Sequence, residues 1–251
     1  MVKLIMHGCN GRMGQVIGYI VKNDTEAEIV AGVDIQQTTT YTFPVFTNIS
    51  DCDMKADAII DFSTAAAVPA VLEYAKEKNI PAIICTTGLS QEIIEQIKET
   101  SKSVPIFFSA NMSLGVNLLI NLAKKATQIL TDANFDIEIV EKHHNQKIDA
   151  PSGTALAIAN AINETLDNEY TYKYDRTKQR AKREKKEIGI HAVRGGTIVG
   201  EHEVIFAGKD EIVELKHTAM SKEIFAVGAV KAAKFIVGKP AGLYDMGNLM
   251  N

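Results

Sequence analysis

The sequence predicts an α/β protein of two domains, the first built on a parallel sheet and the second an α+β domain with a mixed sheet. Three observations carry this. Short apolar runs over residues 3–7, 29–33, 58–63, 81–85 and 105–108 alternate with stretches whose apolar residues recur at helical spacing. The first run breaks into a glycine-rich turn, Gly8-Cys9-Asn10-Gly11-Arg12-Met13-Gly14. From residue 188 onward, three longer segments alternate apolar and polar residues, the period of strands with one buried face.

The elements follow in order. Residues 3–7 read as a buried strand, and Met13, Val16, Ile17 and Ile20 then fall on one helical face. Residues 29–33 form a second strand that ends at Asp34. Strand, glycine turn, helix, strand and terminal acid make up a dinucleotide-binding βαβ unit of Rossmann type. Its glycines let the backbone approach a pyrophosphate resting on the helix N-terminus. The spacing is G-x-x-G-x-x-G rather than G-x-G-x-x-G. Asp34 stands about 20 residues past Gly14, where the acid that holds the adenosine ribose is expected. Ile35-Gln36 offers no cation for a 2′-phosphate and a carboxylate repels one, so NADH is favoured; Arg12 keeps NADPH open.

The strand over 58–63 carries Phe62, Ser63 and Thr64 at its end, and a helix follows over 65–76. Residues 81–85 lead into Thr86-Thr87-Gly88 and a helix over 91–101. Residues 105–108 lead into Ser109, Ala110, Asn111 and Met112. All these loops follow strand C-termini, the edge at which open α/β sheets bind ligands. Plain connecting loops explain Ser63 and Thr64 as well, whereas Thr86, Thr87 and Gly88 favour the cofactor. Cys85 reads as a buried strand residue. A helix over 114–130 bridges to the second domain.

That domain holds the densest polar run, EKHHNQKIDAPSGTAL over residues 141–156. Phe135-Asp136-Ile137-Glu138-Ile139-Val140 alternates as a strand before it, and Ala155, Ile158, Ala159 and Ile162 recur as a helix after it. Ser152 stands as an N-cap, so the N–H groups of Gly153 and Thr154 face outward at the positive end of a helix. Lys147 adds a cation and several donors. Together these groups describe a pocket for a small anion with proton-transfer groups beside it. Residues 173–187 are rich in Lys, Arg and Glu and read as a solvated, mobile loop. Strands follow over 188–194, 198–207 and 212–218, then a helix over 224–237. Arg194 and His202 are within reach of such a pocket, but His191, His202 and His217 read as exposed strand residues.

Composition excludes several classes. A net charge of -4 argues against nucleic acid, whose binders usually carry a basic face. No apolar run approaches the ~20 residues that span a bilayer, and the N-terminus lacks a signal-peptide layout. Cys9, Cys52 and Cys85 are odd in number and without metal-ligand spacing, which suits free thiols in a cytoplasmic protein and no metal.

At this point the residues resemble one family, the 4-hydroxy-tetrahydrodipicolinate (dihydrodipicolinate) reductases of lysine and diaminopimelate biosynthesis. The matching segments are GCNGRMG at 8–14, DFS at 61–63, TTG at 86–88, SANMSLGVN at 109–117, EKHHNQKIDAPSGTAL at 141–156, VRGGTIVGEHEV at 193–204 and GLYDM at 242–246. The resemblance implies a Rossmann domain over 1–112 completed by residues 222–251, and a substrate and oligomerisation domain over 113–221 that builds a homotetramer. It implies His143 and Lys147 as the acid/base pair, and a small cyclic dicarboxylate held by His144, Lys147, Ser152, Gly153 and Thr154. It implies cofactor contacts at Gly8, Arg12, Met13, Gly14, Asp34, Thr87, Gly88, Ser109, Ala110, Asn111 and Met112, to which the turn and strand ends add Asn10, Gly11, Phe62, Ser63 and Thr86. Two departures stand out: Met112, where some members carry phenylalanine, and Lys222 after Ser221, where many carry arginine.

The expected reaction is hydride delivery to C4 of the ring, with Lys147 as the favoured proton donor and His143 stabilising charge; the residues alone leave the two interchangeable. With the two sites on different domains, closure is expected. A different nicotinamide dehydrogenase, of aldehydes or sugars, or a non-catalytic NAD-sensing module would share the first domain.

Overall fold

A computed structural model describes residues 1–37, 41–109, 111–177 and 180–250, and the structural statements below refer to these. The chain divides into two units, Met1–Leu114 with Glu223–Asn251, and Gly115–Lys222.

The first unit is a parallel sheet covered on both faces. Its elements are β1 (Val2–His7), α1 (Arg12–Lys22), β2 (Ala27–Val33), β3 (Val45–Phe46), β4 (Ala58–Asp61), α2 (Val68–Lys78), β5 (Ala82–Ile84), α3 (Gln91–Ser101) and β6 (Pro105–Phe108). The strand order is β12-β6-β5-β4-β1-β2-β3, every pair parallel, where β12 is Gly242–Tyr244 from the chain's last residues. Strands buried on both faces read as unbroken apolar runs. Leu4, Met6, Ile60, Ile83 and Phe107 pack with Ala226, Ala229 and Ala233, whereas Ile5, Ile59, Ile84 and Ile106 pack with Val71, Leu72, Ala75 and Ile97. The order reverses between β1 and β4, and ligands bind beyond the carboxyl ends of strands at such a switch point.

The second unit comprises α4 (Leu114–Leu130, nearly all of it here), β7 (Asp136–His143), α5 (Gly153–Glu164), β8 (Thr171–Lys173), β9 (Glu187–Arg194), β10 (Gly200–Ala207) and β11 (Ile212–Ala219). Its order is β11-β10-β7-β9-β8; β7 and β8 run parallel to β9, and the other pairs are antiparallel, so the sheet is mixed. Along β7 buried and half-buried residues alternate, which turns Ile137, Ile139, Glu141 and His143 to one face. The first two join Leu119, Ala123, Ile158, Ile162, Val204 and Phe206 in the core. The last two continue that face into polar ground.

The remaining elements are α6 (Glu223–Ile236) and α7 (Met246–Met250), both in the first unit. The helix expected from residue 65 opens instead with a 3₁₀ turn, Ala65–Ala67, before Val68. Pro69 lies in the first turn of α2, where a missing N–H costs nothing. The charged segment after β8 does not simply face solvent, as its composition suggested. Arg183 bonds Asp136 (2.9 Å), Glu138 (3.0 Å) and the Ile137 carbonyl (3.1 Å), and Arg176 bonds Glu138 (3.2 Å) and Glu187. A run of mixed charge looks solvated until its partners are found 38 to 47 residues earlier.

Candidate active site

In the second unit the polar run of residues 141–156 closes around one carboxylate. Glu141 has no exposed surface. Its Oε2 lies 2.6 Å from His143 Nδ1 and accepts from Arg194 Nη1 at 2.8 Å. Its Oε1 accepts from Arg194 Nη2 at 2.7 Å and from the Ser152 backbone N–H at 2.9 Å. Burial works against its charge, but the hydrogen bonds from Arg194, His143 and Ser152 outweigh it and hold the carboxyl below the ordinary glutamate range. Arg194 Nη2 also donates to the Asp149 carbonyl at 2.7 Å, which ties β9 to the segment before Ser152.

Ser152 caps α5 as its position suggested: its Oγ accepts the Ala155 N–H at 3.1 Å. The same oxygen lies 2.9 Å from His202 Nε2. His202 is 4% exposed, not an exposed strand residue. Antiparallel pairing of β10 with β7 turns it inward, edge-on to His143 with ring centres 5.2 Å apart. Burial, then the neighbouring His143 charge, pushes its pKa down to about 4, so it is neutral at pH 7. His191 is half-buried on Glu138 (2.8 Å), and His217 is half-buried on β11.

Lys147 Nζ lies 2.8 Å from Asp149 Oδ1, and the Gly153 amide at the start of α5 also favours the charged form of that carboxylate. The Lys147 hydrogen bond holds Asp149 below the ordinary aspartate range. An ammonium at the start of a helix therefore already holds a carboxylate, supplied by the chain itself. His144 is half-buried at the end of β7, with its carbonyl accepting the Lys147 N–H at 3.2 Å. Thr154 lies in the first turn of α5.

In the first unit the glycine turn is packed against the chain's own backbone too closely for side chains at Gly8 and Gly14. Gly8 adopts φ +82°, and a Cβ there would stand 2.6 Å from the Phe62 carbonyl oxygen. A Cβ at Gly14 would stand 2.3 Å from the Gly8 oxygen, so α1 begins hard against the turn. Asp34 ends β2 and accepts the Asn10 N–H at 2.9 Å, which places its carboxylate at the mouth of the turn. Asn10 Nδ2 reaches the Gln36 carbonyl at 2.8 Å. Gly11 is the N-cap of α1; Arg12 is exposed, and Met13 is half-buried against the core. Arg12 lines a cavity of about 500 Å³ with Gln15, Val16, Tyr19 and Glu223.

The neighbouring strand ends are organised by a residue that sequence reading passed over. Asp61 is wholly buried and meets His7 Nδ1 (2.7 Å), Ser63 Oγ (2.6 Å) and Thr86 Oγ1 (2.6 Å). The hydroxyls of Ser63 and Thr86 thus face inward, onto Asp61. Phe62 packs on the core beside them, and Thr87 and Gly88 are exposed. Ser109 Oγ donates to the Asn111 carbonyl at 3.2 Å; Met112 is 3% exposed within the core, and Ala110 lies outside the described residues. Among the described residues no group of three or more His, Cys, Asp or Glu is arranged to hold a metal ion.

Glu141 and Asp61 were missed, and His202 was weighed for the site but read as exposed; for Glu141 and His202 a signal existed. The alternation that buries Ile137 and Ile139 points residue 141 the same way. The alternation along β10 likewise puts His202 on the face of Val204 and Phe206, but the partners of Asp61 and His202 lie 54 and 50 residues away, which no local pattern records.

Comparison with known proteins agrees over the whole chain. Residues 2–112 match the family model for the dihydrodipicolinate reductase N-terminus and residues 115–250 that for its C-terminus. A 4-hydroxy-tetrahydrodipicolinate reductase of Caldanaerobacter subterraneus subsp. tengcongensis is 52% identical over 250 residues, covering 100% of this chain and 98% of that one. One from Clostridium novyi is 50% identical with the same coverage. A dipicolinate-bound dihydrodipicolinate reductase from Paenisporosarcina sp. TG-14 superposes with a TM-score of 0.82 at 26% identity, covering 98% of this chain and 97% of that chain. On fold, on motif and on likeness along its full length, the chain belongs to the dihydrodipicolinate reductase family.

Proposed function

We propose that the chain reduces 4-hydroxy-tetrahydrodipicolinate with a reduced nicotinamide dinucleotide, in the biosynthesis of diaminopimelate and lysine. Residues 1–112 with 222–251 hold the cofactor, and residues 113–221 hold the substrate. The observation that carries this is the Lys147 ammonium 2.8 Å from the Asp149 carboxylate, beside the Gly153 amide at the start of α5. That ammonium and that amide are what a carboxylate of a cyclic diacid would need.

When bound, the cofactor supplies a hydride. The chain's own residues do the rest. Gly153, Thr154 and the Lys147 ammonium receive one carboxylate in place of Asp149, with His144 and Ser152 alongside. This fixes the ring, and positioning of this kind is worth several kcal/mol of barrier. Lys147 gives a proton to the ring atom that becomes electron-rich, and His143 stabilises the charge. The C4 hydroxyl leaves as water, and hydride at C4 with one proton then balances a two-electron reduction of the conjugated double bond so formed.

On the cofactor side, the glycine turn receives the pyrophosphate, and Asp34 receives the adenosine ribose. Asp34 is followed by Ile35 and Gln36, neither of them cationic, so NADH is the preferred donor and NADPH the poorer one. Met112, being in the core, supports the loop from below. The resemblance to the family supports a homotetramer assembled through residues 113–221, with light scattering expected at four times the chain mass of 27.4 kDa. The free thiols Cys9, Cys52 and Cys85, all buried, suit the reducing cytosol.

The test is oxidation of NADH and of NADPH with freshly generated 4-hydroxy-tetrahydrodipicolinate, against simple aldehydes and sugars. Turnover with the cyclic diacid alone is expected, with the lower KM for NADH. Turnover with an aldehyde or sugar instead would point to another dehydrogenase. Cofactor binding without any turnover would point to a sensing module.

A further inference from the structure

Glu141 takes no part in the reaction as described, yet four hydrogen bonds meet on its two oxygens and no water reaches it. A buried carboxylate in an ordinary structural ion pair needs one cation. This one is joined to three different things: the imidazole of His143, the guanidinium of Arg194 and the backbone amide of Ser152. A carboxylate only accepts hydrogen bonds, so its partner Nδ1 must carry the hydrogen. That leaves Nε2 as the nitrogen of His143 able to take up a proton. On the far side, the Ser152 N–H sets where α5 begins, and with it the amides that follow.

We propose that Glu141 is the positioning residue of the site, fixing the ring nitrogen that His143 presents and the start of the carboxylate-binding helix in a single contact. Arg194 completes the device. Its fork neutralises Glu141, so that no net negative charge stands beside an incoming dianion, and it clamps the Asp149 carbonyl to hold the intervening loop. Outer partners of this kind set the tautomer and orientation of a working imidazole without touching the substrate. The proposal rests on the assignment of His143 to the reaction.

The test is Glu141→Gln, isosteric but neutral. The NH2 meets either His143 Nδ1 and Arg194 Nη1 or Arg194 Nη2 and the Ser152 N–H, so each way of seating the amide breaks an Arg194 bond and one of the two links that the carboxylate joins. Relative to wild type, kcat is expected to fall by about 10²-fold, the upper end seen for outer-shell partners. The KM for NADH should be unchanged, since the first unit is untouched. Glu141→Asp, which restores the charge, should recover part of the loss; a purely structural role would give no such split. Imidazole ¹⁵N spectra of the wild-type protein supply a reading that needs no variant to fold: His143 should carry its hydrogen on Nδ1. Hydrogen on Nε2 alone, or Glu141→Gln with wild-type kcat, would overturn the proposal. His143→Asn separates the two levels. If it is fully active, the catalytic reading of His143 fails; if it is impaired while Glu141→Gln is not, only the positioning role fails.

Discussion

Ser152 Oγ and His202 Nε2 lie 2.9 Å apart in the interior of the second unit, joining the cap of α5 to the middle of the mixed sheet. The histidine in this pair is held neutral, with its pKa pushed down from 6.5 to about 4 by burial and by the His143 charge. In the unfolded chain it binds a proton near pH 6.5. Between those values unfolding takes up a proton, so stability is complete above pH 6.5 and falls as pH drops toward 4. The loss is on the order of 3 kcal/mol by linkage. Thermal unfolding of wild type and His202→Gln between pH 7.5 and 4.5 checks this. The variant should lose less Tm over that range, since the acid sensitivity of the carboxylates is common to both. Parallel curves would show that His202 does not carry the effect.

Asp149 stands where a substrate carboxylate is expected, so it competes with one. Asp149→Asn removes the charge that Lys147 now holds. The aspartate is more than half exposed and its ion pair correspondingly weak. Dipicolinate should bind the variant roughly two- to fivefold more tightly by calorimetry. Weaker binding would mean that Asp149 orients Lys147 rather than occupying its place.

Gly14→Ala puts a methyl group 2.3 Å from the Gly8 oxygen and 2.6 Å from that of Cys9. Backbone must move to admit it, at a cost of about 1–3 kcal/mol or more. A lowered Tm is expected together with lost NADH binding, because the same movement spoils the turn. An unchanged affinity by fluorescence titration would separate the turn from the cofactor.

Asp34→Ser removes the carboxylate at the mouth of the turn. The KM for NADH should rise by about tenfold, the equivalent of one charge-assisted hydrogen bond, and that for NADPH should fall. Equal KM values in the wild-type protein would show that Asp34 does not discriminate.

Much of this was legible in the sequence because it is local. The glycine turn, the acid at the end of β2 and the Ser152 cap each depend on neighbours within one or two turns of chain. The α3, β6 and α4 boundaries follow from periodicity in the same way. What escaped is held from a distance. The strands β3, β8 and β12 have two or three residues each and exist because a partner strand pairs them. Asp61 gathers a histidine, a serine and a threonine from three strand ends, so Ser63 and Thr86 turned out to serve the scaffold with their side chains. His202 lies between Glu201 and Glu203 in phase with buried Val204 and Phe206, so the alternation along β10 already turned it inward; only its register against β7, opposite Glu141, shows which groups it meets there.

Steady-state turnover of 4-hydroxy-tetrahydrodipicolinate by Lys147→Met, beside wild type at saturating NADH, is the most direct measurement. If Lys147 both holds the carboxylate and donates the proton, kcat should fall by about 10²–10⁴-fold while the dissociation constant for NADH stays as it was. A variant that turns over within a few-fold of wild type would remove Lys147 from the chemistry, and with it the role of the Ser152–Thr154 helix start as the substrate's cradle.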